Sequence, residues 1–282
     1  SHVISTELSS LIAGFDGEAA YLARNFETGQ EVGYRAERGM PTASTIKIVV
    51  LAELFRQVDA GAVDLDAQVE MLAEDRRGGS GILKDLSDGV IATVRDHATL
   101  MIALSDNTST ALLVRLLGRE RILQSAREWG MTDTSAGFDR VEGDGARGYA
   151  ASTPRDLVHL LGLIATDAII SPAACRVMRD ILGTQQYHEQ IARMLPFHQF
   201  AREGNVHSGP LVVRSKSGFM ADDSGAVRVD AGIVEIADGP RWVIALMTEG
   251  HPDRRFHPEH PGMVLNGRIS RIVYDAWAGD AA

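Results

Sequence analysis

Apolar positions change their spacing along the chain, and each change predicts a different kind of element. In residues 4–14, Leu8, Leu11 and Ile12 fall on one face at helical spacing, which predicts an amphipathic helix. Residues 18–26 read as a strand, Thr28-Gly29 as a turn, and residues 31–35 as a second strand that pairs back. From Ile46 to Phe55 the chain is hydrophobic almost all round, as in a helix buried at the centre of a fold. Thr93-Val94-Arg95-Asp96 has a capping-box pattern ahead of a helix over 97–104, and Gly118 stops a helix over 109–117. Thr153 and Pro154 start another helix as N-cap and first helical residue. The last third alternates instead, with strands over 211–217, 226–237 and 241–248 and turns at Asp222-Asp223-Ser224-Gly225 and Asp238-Gly239-Pro240. A helix over 262–278 closes the chain.

This order predicts an α+β fold, an α/β sandwich. An antiparallel sheet built from both chain ends is flanked by helices, and an all-helical lobe is inserted. The expected division is residues 1–40 and 195–282 for the α/β part and 41–194 for the insertion. A ligand site is expected where the two meet.

Composition narrows the function. The 282 residues carry a net charge of −10, which argues against nucleic-acid binding. No apolar run is long enough to span a membrane. The single cysteine, Cys175, excludes an internal disulfide and reads as buried packing at a helix start. The chain begins Ser1-His2-Val3 without a signal segment, and Ser1-His2 reads as a cloning scar. The expectation is a periplasmic or secreted monomer with its signal removed, with the cytoplasm as the alternative.

Three lysines, Lys47, Lys84 and Lys216, stand against 25 arginines. Arginine is permanently cationic, whereas a buried lysine can lose its proton and act as a base. Two of these lysines belong to short motifs, Ser44-Thr45-Ile46-Lys47 and Lys216-Ser217-Gly218, with Ser105-Asp106-Asn107 between them. This is the S-x-x-K, S-D-N, K-[ST]-G order of active-site serine enzymes. At spacing three on a helix, Ser44 and Lys47 share a face, and a helix N-terminus favours developing negative charge at Ser44. Lys47, among Ile46, Ile48, Val49 and Val50, would take the serine's proton. Ser105 would relay a proton to a leaving amine, and Asn107 would bind a substrate amide and hold Lys47. Lys216 would supply charge for an anionic substrate, and Gly218 would let a strand edge come close. Taken singly, the three motifs also fit a helix cap, a helix-joining turn and a strand end.

Beyond the motifs, Phe26-Glu27-Thr28-Gly29-Gln30, the run Leu100 to Thr108, Trp129-Gly130-Met131, Phe138 to Glu142 and Thr153 to Leu157 also match one pattern. The chain resembles the class A β-lactamases, within the serine β-lactamases and penicillin-binding proteins, over most of residues 10–278. The resemblance implies an acyl-enzyme hydrolase that needs no cofactor or metal. Its nucleophile would be Ser44, with Lys47, Ser105, Asn107, Lys216, Ser217 and Gly218 around it. Its oxyanion hole would be the backbone N–H groups of Ser44 and Phe219. Glu142 matches the carboxylate that activates the deacylating water. The pattern then departs: Ala146 stands where the family has a water-holding Asn, and the segment from Arg140 to Thr153 is short and Gly-rich. No aromatic residue appears around Gly78-Gly79-Ser80-Gly81, where the family carries one at the cleft rim.

Arg228, and less directly Arg214, are candidates for a substrate carboxylate, each against the alternative of a solvated strand arginine. Three histidines between His251 and Pro261 do not match a zinc spacing, and that loop is placed beside the cleft by the resemblance. Three functions fit. One is a β-lactamase with slow deacylation. The second is a D-Ala-D-Ala carboxypeptidase or esterase acting on an acyl-D-Ala-type peptide. The third is a non-catalytic module that binds β-lactams or peptidoglycan.

Overall fold

The structure, a computed structural model, describes residues 2–139, 145–199, 211–237 and 241–279. Helix α1 (His2–Ala13) precedes strands β1 (Glu18–Asn25), β2 (Glu31–Tyr34) and the short β3 (Met40–Pro41). A 3₁₀ turn over Ala43–Ile46 runs straight into α2 (Lys47–Asp59). A two-stranded ribbon, β4 (Gln68–Glu70) and β5 (Ile91–Thr93), leads to α3 (Val94–Ala103), α4 (Asn107–Leu117) and α5 (Arg119–Glu128). Then come β6 (Ser135–Ala136), α6 (Gly145–Tyr149), β7 (Ala150–Ser152), α7 (Pro154–Ala165) and α8 (Pro172–Leu182). The chain ends with β8 (Leu211–Asp222), β9 (Gly225–Ile236), β10 (Arg241–His251) and α9 (Pro261–Trp277).

Five strands form one antiparallel sheet in the order β2-β1-β10-β9-β8, so both chain ends do build it. Strand alternation gives the sheet two apolar faces. On β10, Val243, Ala245 and Met247 join the core made by the helices. Trp242, Ile244 and Leu246 point the other way and pack with Leu8 of α1 and Ile269, Val273 and Trp277 of α9. Burying a large apolar side chain fully contributes about 1.5–3 kcal/mol. Among the described residues, no helix is long and apolar enough to cross a membrane.

Local chemistry explains most element ends. Thr93 and Asp96 form the expected capping box of α3, which starts at Val94. Thr153 caps α7 with Pro154 in its first turn. The helix expected over 109–117 starts at Asn107, because the Asp106 carboxylate accepts from Ser109 N. Strand β8 runs on to Asp222, well past the expected end at Ser217, and the hairpin closes where Ser224 N donates to Asp222 Oδ1. Cys175 is fully buried, as its packing role required. The turn expected at Asp238-Gly239-Pro240 lies outside the described residues.

Candidate active site

Ser44 sits half-buried in the 3₁₀ turn that feeds α2, rather than on a regular α-helix. The preceding Ala43 has φ +45°, a left-handed conformation that costs a non-glycine residue free energy. The turn is tied down by its threonines, with Thr45 Oγ1 donating to Thr42 O at 2.8 Å. Lys47, the first residue of α2, is completely buried. Its Nζ has three partners: Ser105 O at 2.9 Å, Ser105 Oγ at 2.9 Å and Asn107 Oδ1 at 2.8 Å. Ser105 is also left-handed, at φ +53°, and both its carbonyl and its hydroxyl reach the lysine.

The Ser105-Asp106-Asn107 turn is itself held from two sides. Asp106 Oδ1 accepts from Ser109 N, while Oδ2 accepts from Ile82 N at 2.7 Å and Leu83 N at 2.9 Å. Ser80 Oγ donates to Ser105 O at 2.6 Å, and Asn107 Nδ2 donates to Gly78 O at 2.9 Å. Gly79 and Gly81 of that loop are needed for the approach. A Cβ on Gly81, at φ +105°, would fall 2.4 Å from the Asp106 carboxylate.

Strand β8 is the sheet edge and brings the third motif against the Ser44 turn. A Cβ on Gly218 would lie 2.7 Å from Ser44 N, so only glycine lets the strand come this close. Lys216 is fully buried and donates to Ser217 O at 2.6 Å. Across the ladder Ser217 faces Asp230, another fully buried charge-bearing residue, whose Oδ2 accepts from Ile191 N at 3.0 Å. Phe219 faces Arg228 in the same ladder.

Burial sets the electrostatics. Desolvation holds the Lys47 ammonium well below the ordinary lysine range; the nearby Lys216 charge pushes the same way, and Asp106 opposes. Desolvation also pushes Lys216 down to about 7, with Asp230 resisting. The Asp230 carboxyl is pushed up to about 7 by burial, which Ile191 N and Lys216 counter. A neutral Lys47 still satisfies its cage. Two N–H groups donate to Ser105 O and Asn107 Oδ1, and its lone pair accepts from Ser105 Oγ–H, the one partner able to reverse its bond.

Above Ser44 opens a cleft of about 1210 Å³, which Asn107, Phe219 and Arg228 also line. Arg228 is buried rather than solvated. It donates to Val227 O at 2.8 Å and Arg255 O at 3.0 Å, and burial lowers its pKa to about 10. Arg214 lies elsewhere, bonded to Glu235 and to the Arg179 carbonyl, and does not line the cleft. Lys84 is outside the cage and donates to Gly81 O at 2.8 Å. Glu142 lies outside the described residues. Ala146, just beyond it, is buried, and its N–H donates to Asp222 Oδ2 at 2.8 Å.

Three contributors were not legible in the motifs. Asp230 is one. Phe256 is the second: it packs on Phe219 with centroids 4.4 Å apart and lies 5.7 Å from the Arg228 guanidinium. It gives the cleft an aromatic rim from the strand side, where the Gly78–Gly81 loop has none. Arg254 is the third, and it also lines the cleft. The signal for both loop residues was the histidine-rich segment, whose histidines hold the loop in shape. His257 Nε2 bonds Asp253 Oδ2 at 2.9 Å. His260 is kept neutral by burial, its pKa pushed down to about 4; Nδ1 accepts from Gly262 N while Nε2 donates to Asp253 O. Among the described residues, no group of three or more His, Cys, Asp or Glu side chains is placed to hold a metal.

An antiparallel sheet whose edge strand closes over a serine-bearing turn and a buried lysine is the architecture of the serine β-lactamase-like hydrolases. A model of the β-lactamase enzyme family matches residues 4–277, and the chain belongs to that family. It is 26% identical to a β-lactamase of Streptomyces fradiae, covering 97% of this chain and 86% of that protein. It is 24% identical to the β-lactamase regulatory protein BlaB of Streptomyces cacaoi, covering 82% and 84%. A variant of PBP-A, solved as an acyl-enzyme complex with penicillin G, superposes with a TM-score of 0.81 at 25% identity, covering 98% of this chain and 96% of that one.

Proposed function

We propose that the protein opens the amide of β-lactams through an acyl-enzyme on Ser44. The observation that carries this is the cage around Lys47: a buried amine, held on three sides, one turn of backbone from the serine. As Ser105 Oγ–H turns from the amine towards the substrate, the freed lone pair of neutral Lys47 accepts the Ser44 proton while Ser44 Oγ bonds to the lactam carbonyl carbon. The oxyanion is received by the backbone N–H groups of Ser44 and Phe219, a role supported by the close approach at Gly218. As the C–N bond breaks, Ser105 Oγ gives its proton to the leaving nitrogen and is reprotonated from Lys47. Asn107 binds the side-chain amide of the substrate, and Lys216 with Ser217 and Arg228 binds its carboxylate. Incubation with a penicillin should add one ligand mass, mapped to the Ser44 peptide, and Ser44→Ala should remove it. An adduct on another residue refutes the mechanism.

Deacylation is proposed as the slow step, with Glu142 as the base. Ala146 supports this, because a buried methyl group cannot hold a water and its N–H is already bonded to Asp222. Turnover should therefore begin with a burst equal to the enzyme concentration, and Glu142→Gln should lengthen the acyl-enzyme lifetime. The same observation favours a second reading, a carboxypeptidase on acyl-D-Ala-type peptides; faster turnover of such a peptide than of any β-lactam would select it. The class A assignment, a part in antibiotic resistance, a monomeric state and a periplasmic or secreted location belong to the same proposal. So does the division into residues 1–40 with 195–282, and 41–194.

A further inference from the structure

The cleft is cationic in a chain of net charge −10. Among the described residues, five of the charged side chains lining it are arginines (Arg77, Arg115, Arg119, Arg228 and Arg254), and one, Asp139, is acidic. They are not equivalent. Arg115 is neutralised by a two-pronged bond to buried Asp75, at 2.8 Å on each side. Arg228 and Arg254 belong to the strand side, with Phe219 and Phe256. Arg77 and Arg119 belong to the helical side. Arg77 is partly offset by Asp139, with Nε at 3.3 Å from the carboxylate. Arg119 is exposed, and its one hydrogen bond among the described residues is to the Gly137 carbonyl, at 3.3 Å.

A second feature reinforces the charge at Arg119. It opens α5, whose N-cap is Gly118 at φ +88°, with no side chain to cap the helix. Gly118 and Arg119 both line the cleft, so the positive end of α5 adds to the guanidinium there. The cleft also has room beyond a compact bicyclic ligand, since drug-sized pockets run from about 300 to 1,000 Å³ and this one is about 1210 Å³. One substrate carboxylate is already accounted for on the strand side by Lys216 and Arg228. Among the described residues the helical side remains cationic, and Arg119 has no ion-pair partner there.

We propose that the Arg119–Arg77 side of the cleft is a second anion subsite, which takes a carboxylate carried on the acyl side chain of the substrate. The preferred acyl donors are then dianionic, with one carboxylate next to the scissile amide and another at the far end of an extended acyl chain. This inference rests on the acyl-enzyme reading above.

The test uses two penicillins matched in length, one with an adipoyl side chain ending in a carboxylate, the other with a hexanoyl side chain ending in a methyl group. The second-order rate of acylation is read for each by intact-protein mass spectrometry. The wild-type chain should prefer the adipoyl compound by roughly fivefold, the scale of a charge pair reinforced by a helix terminus. About 0.5 M salt should bring that ratio towards one. Arg119→Ala should lower the ratio, and Arg119→Glu should take it below one; far-UV circular dichroism checks that both variants fold. A wild-type ratio of one, or a ratio that Arg119→Glu leaves unchanged, overturns the subsite while leaving the acyl-enzyme mechanism standing. Failure of both compounds to acylate Ser44 overturns the mechanism, and the subsite with it.

Discussion

Lys47 and Lys216 are both completely buried, yet their surroundings differ in the sign of the charge beside them. Lys47 has three neutral partners, and the Lys216 cation acts on it more strongly than the opposing Asp106 carboxylate. Lys216 has one carbonyl partner and a buried carboxyl, Asp230, nearby. Desolvation lowers both; the sign of the neighbouring charge separates them. A lysine whose neighbour is a cation is steered towards the neutral base, and one whose neighbour is a carboxylate keeps more of its charge for an anionic ligand. Each also tunes the other, since the Lys216 charge is part of what depresses Lys47.

The sharpest way to break this contrast is Lys47→Arg, which keeps a cation and removes the base. Acylation should slow by about a hundredfold or more, the usual range for losing a general base. Near-normal acylation by the folded variant would show that Lys47 supplies only charge. Gly218→Ala tests the ground between the two lysines. The new methyl must displace the Ser44 turn or the strand, and a shift of about 1 Å can cost roughly a hundredfold in rate. A second-order acylation rate that Gly218→Ala leaves intact would mean Ser44 N takes no part.

Lys216→Gln should weaken acylation by about tenfold, within the range of a charge-assisted hydrogen bond. It should also change the pH profile in a defined direction. On the proposed mechanism, acylation should rise with pH as Lys47 loses its proton and fall as Lys216 loses its own near 7. In Lys216→Gln the falling limb should vanish, and the rising limb should move to higher pH because the depressing charge is gone. A falling limb that persists near 7 would belong to another group. Asp230→Asn should have the smallest effect. Removing the countercharge lowers Lys216 further, so the falling limb should move to lower pH; a move to higher pH would reverse the assignment of Asp230 as its partner.

Much of the site was legible because its motifs are local. Lys47 follows Ser44 at a spacing of three positions, and Asp106 caps the helix that begins beside it. The 3₁₀ turn was not legible, because Ala43 adopts a left-handed backbone without the glycine that would have signalled it. Gly218 reads as a strand end until the partner strand shows that the ladder continues to Asp222. The two strand arginines, Arg214 and Arg228, look alike in sequence, and only sheet register puts one at the cleft. Asp230 has the same cause, since a cross-strand neighbour has no fixed sequence offset. The aromatic rim escaped notice because it comes from a loop far along the chain. Glu142, the proposed deacylation base, rests on sequence pattern and lies outside the described residues.

The sheet order has a consequence for the chain as it is being made. Strand β1 pairs with β10, so Glu18 meets Glu249 only after about 230 further residues have been added. At a ribosomal rate of roughly 5–20 residues per second, the β1–β2 hairpin waits on the order of tens of seconds for its neighbour. A lone two-stranded hairpin is marginal in water. The helices between the strands are synthesised first, but their apolar surface is completed by a sheet face that does not yet exist. The nascent chain therefore keeps apolar helix surface uncovered until β9 and β10 have been added, and the cleft, with β8 as one wall, comes into being only then.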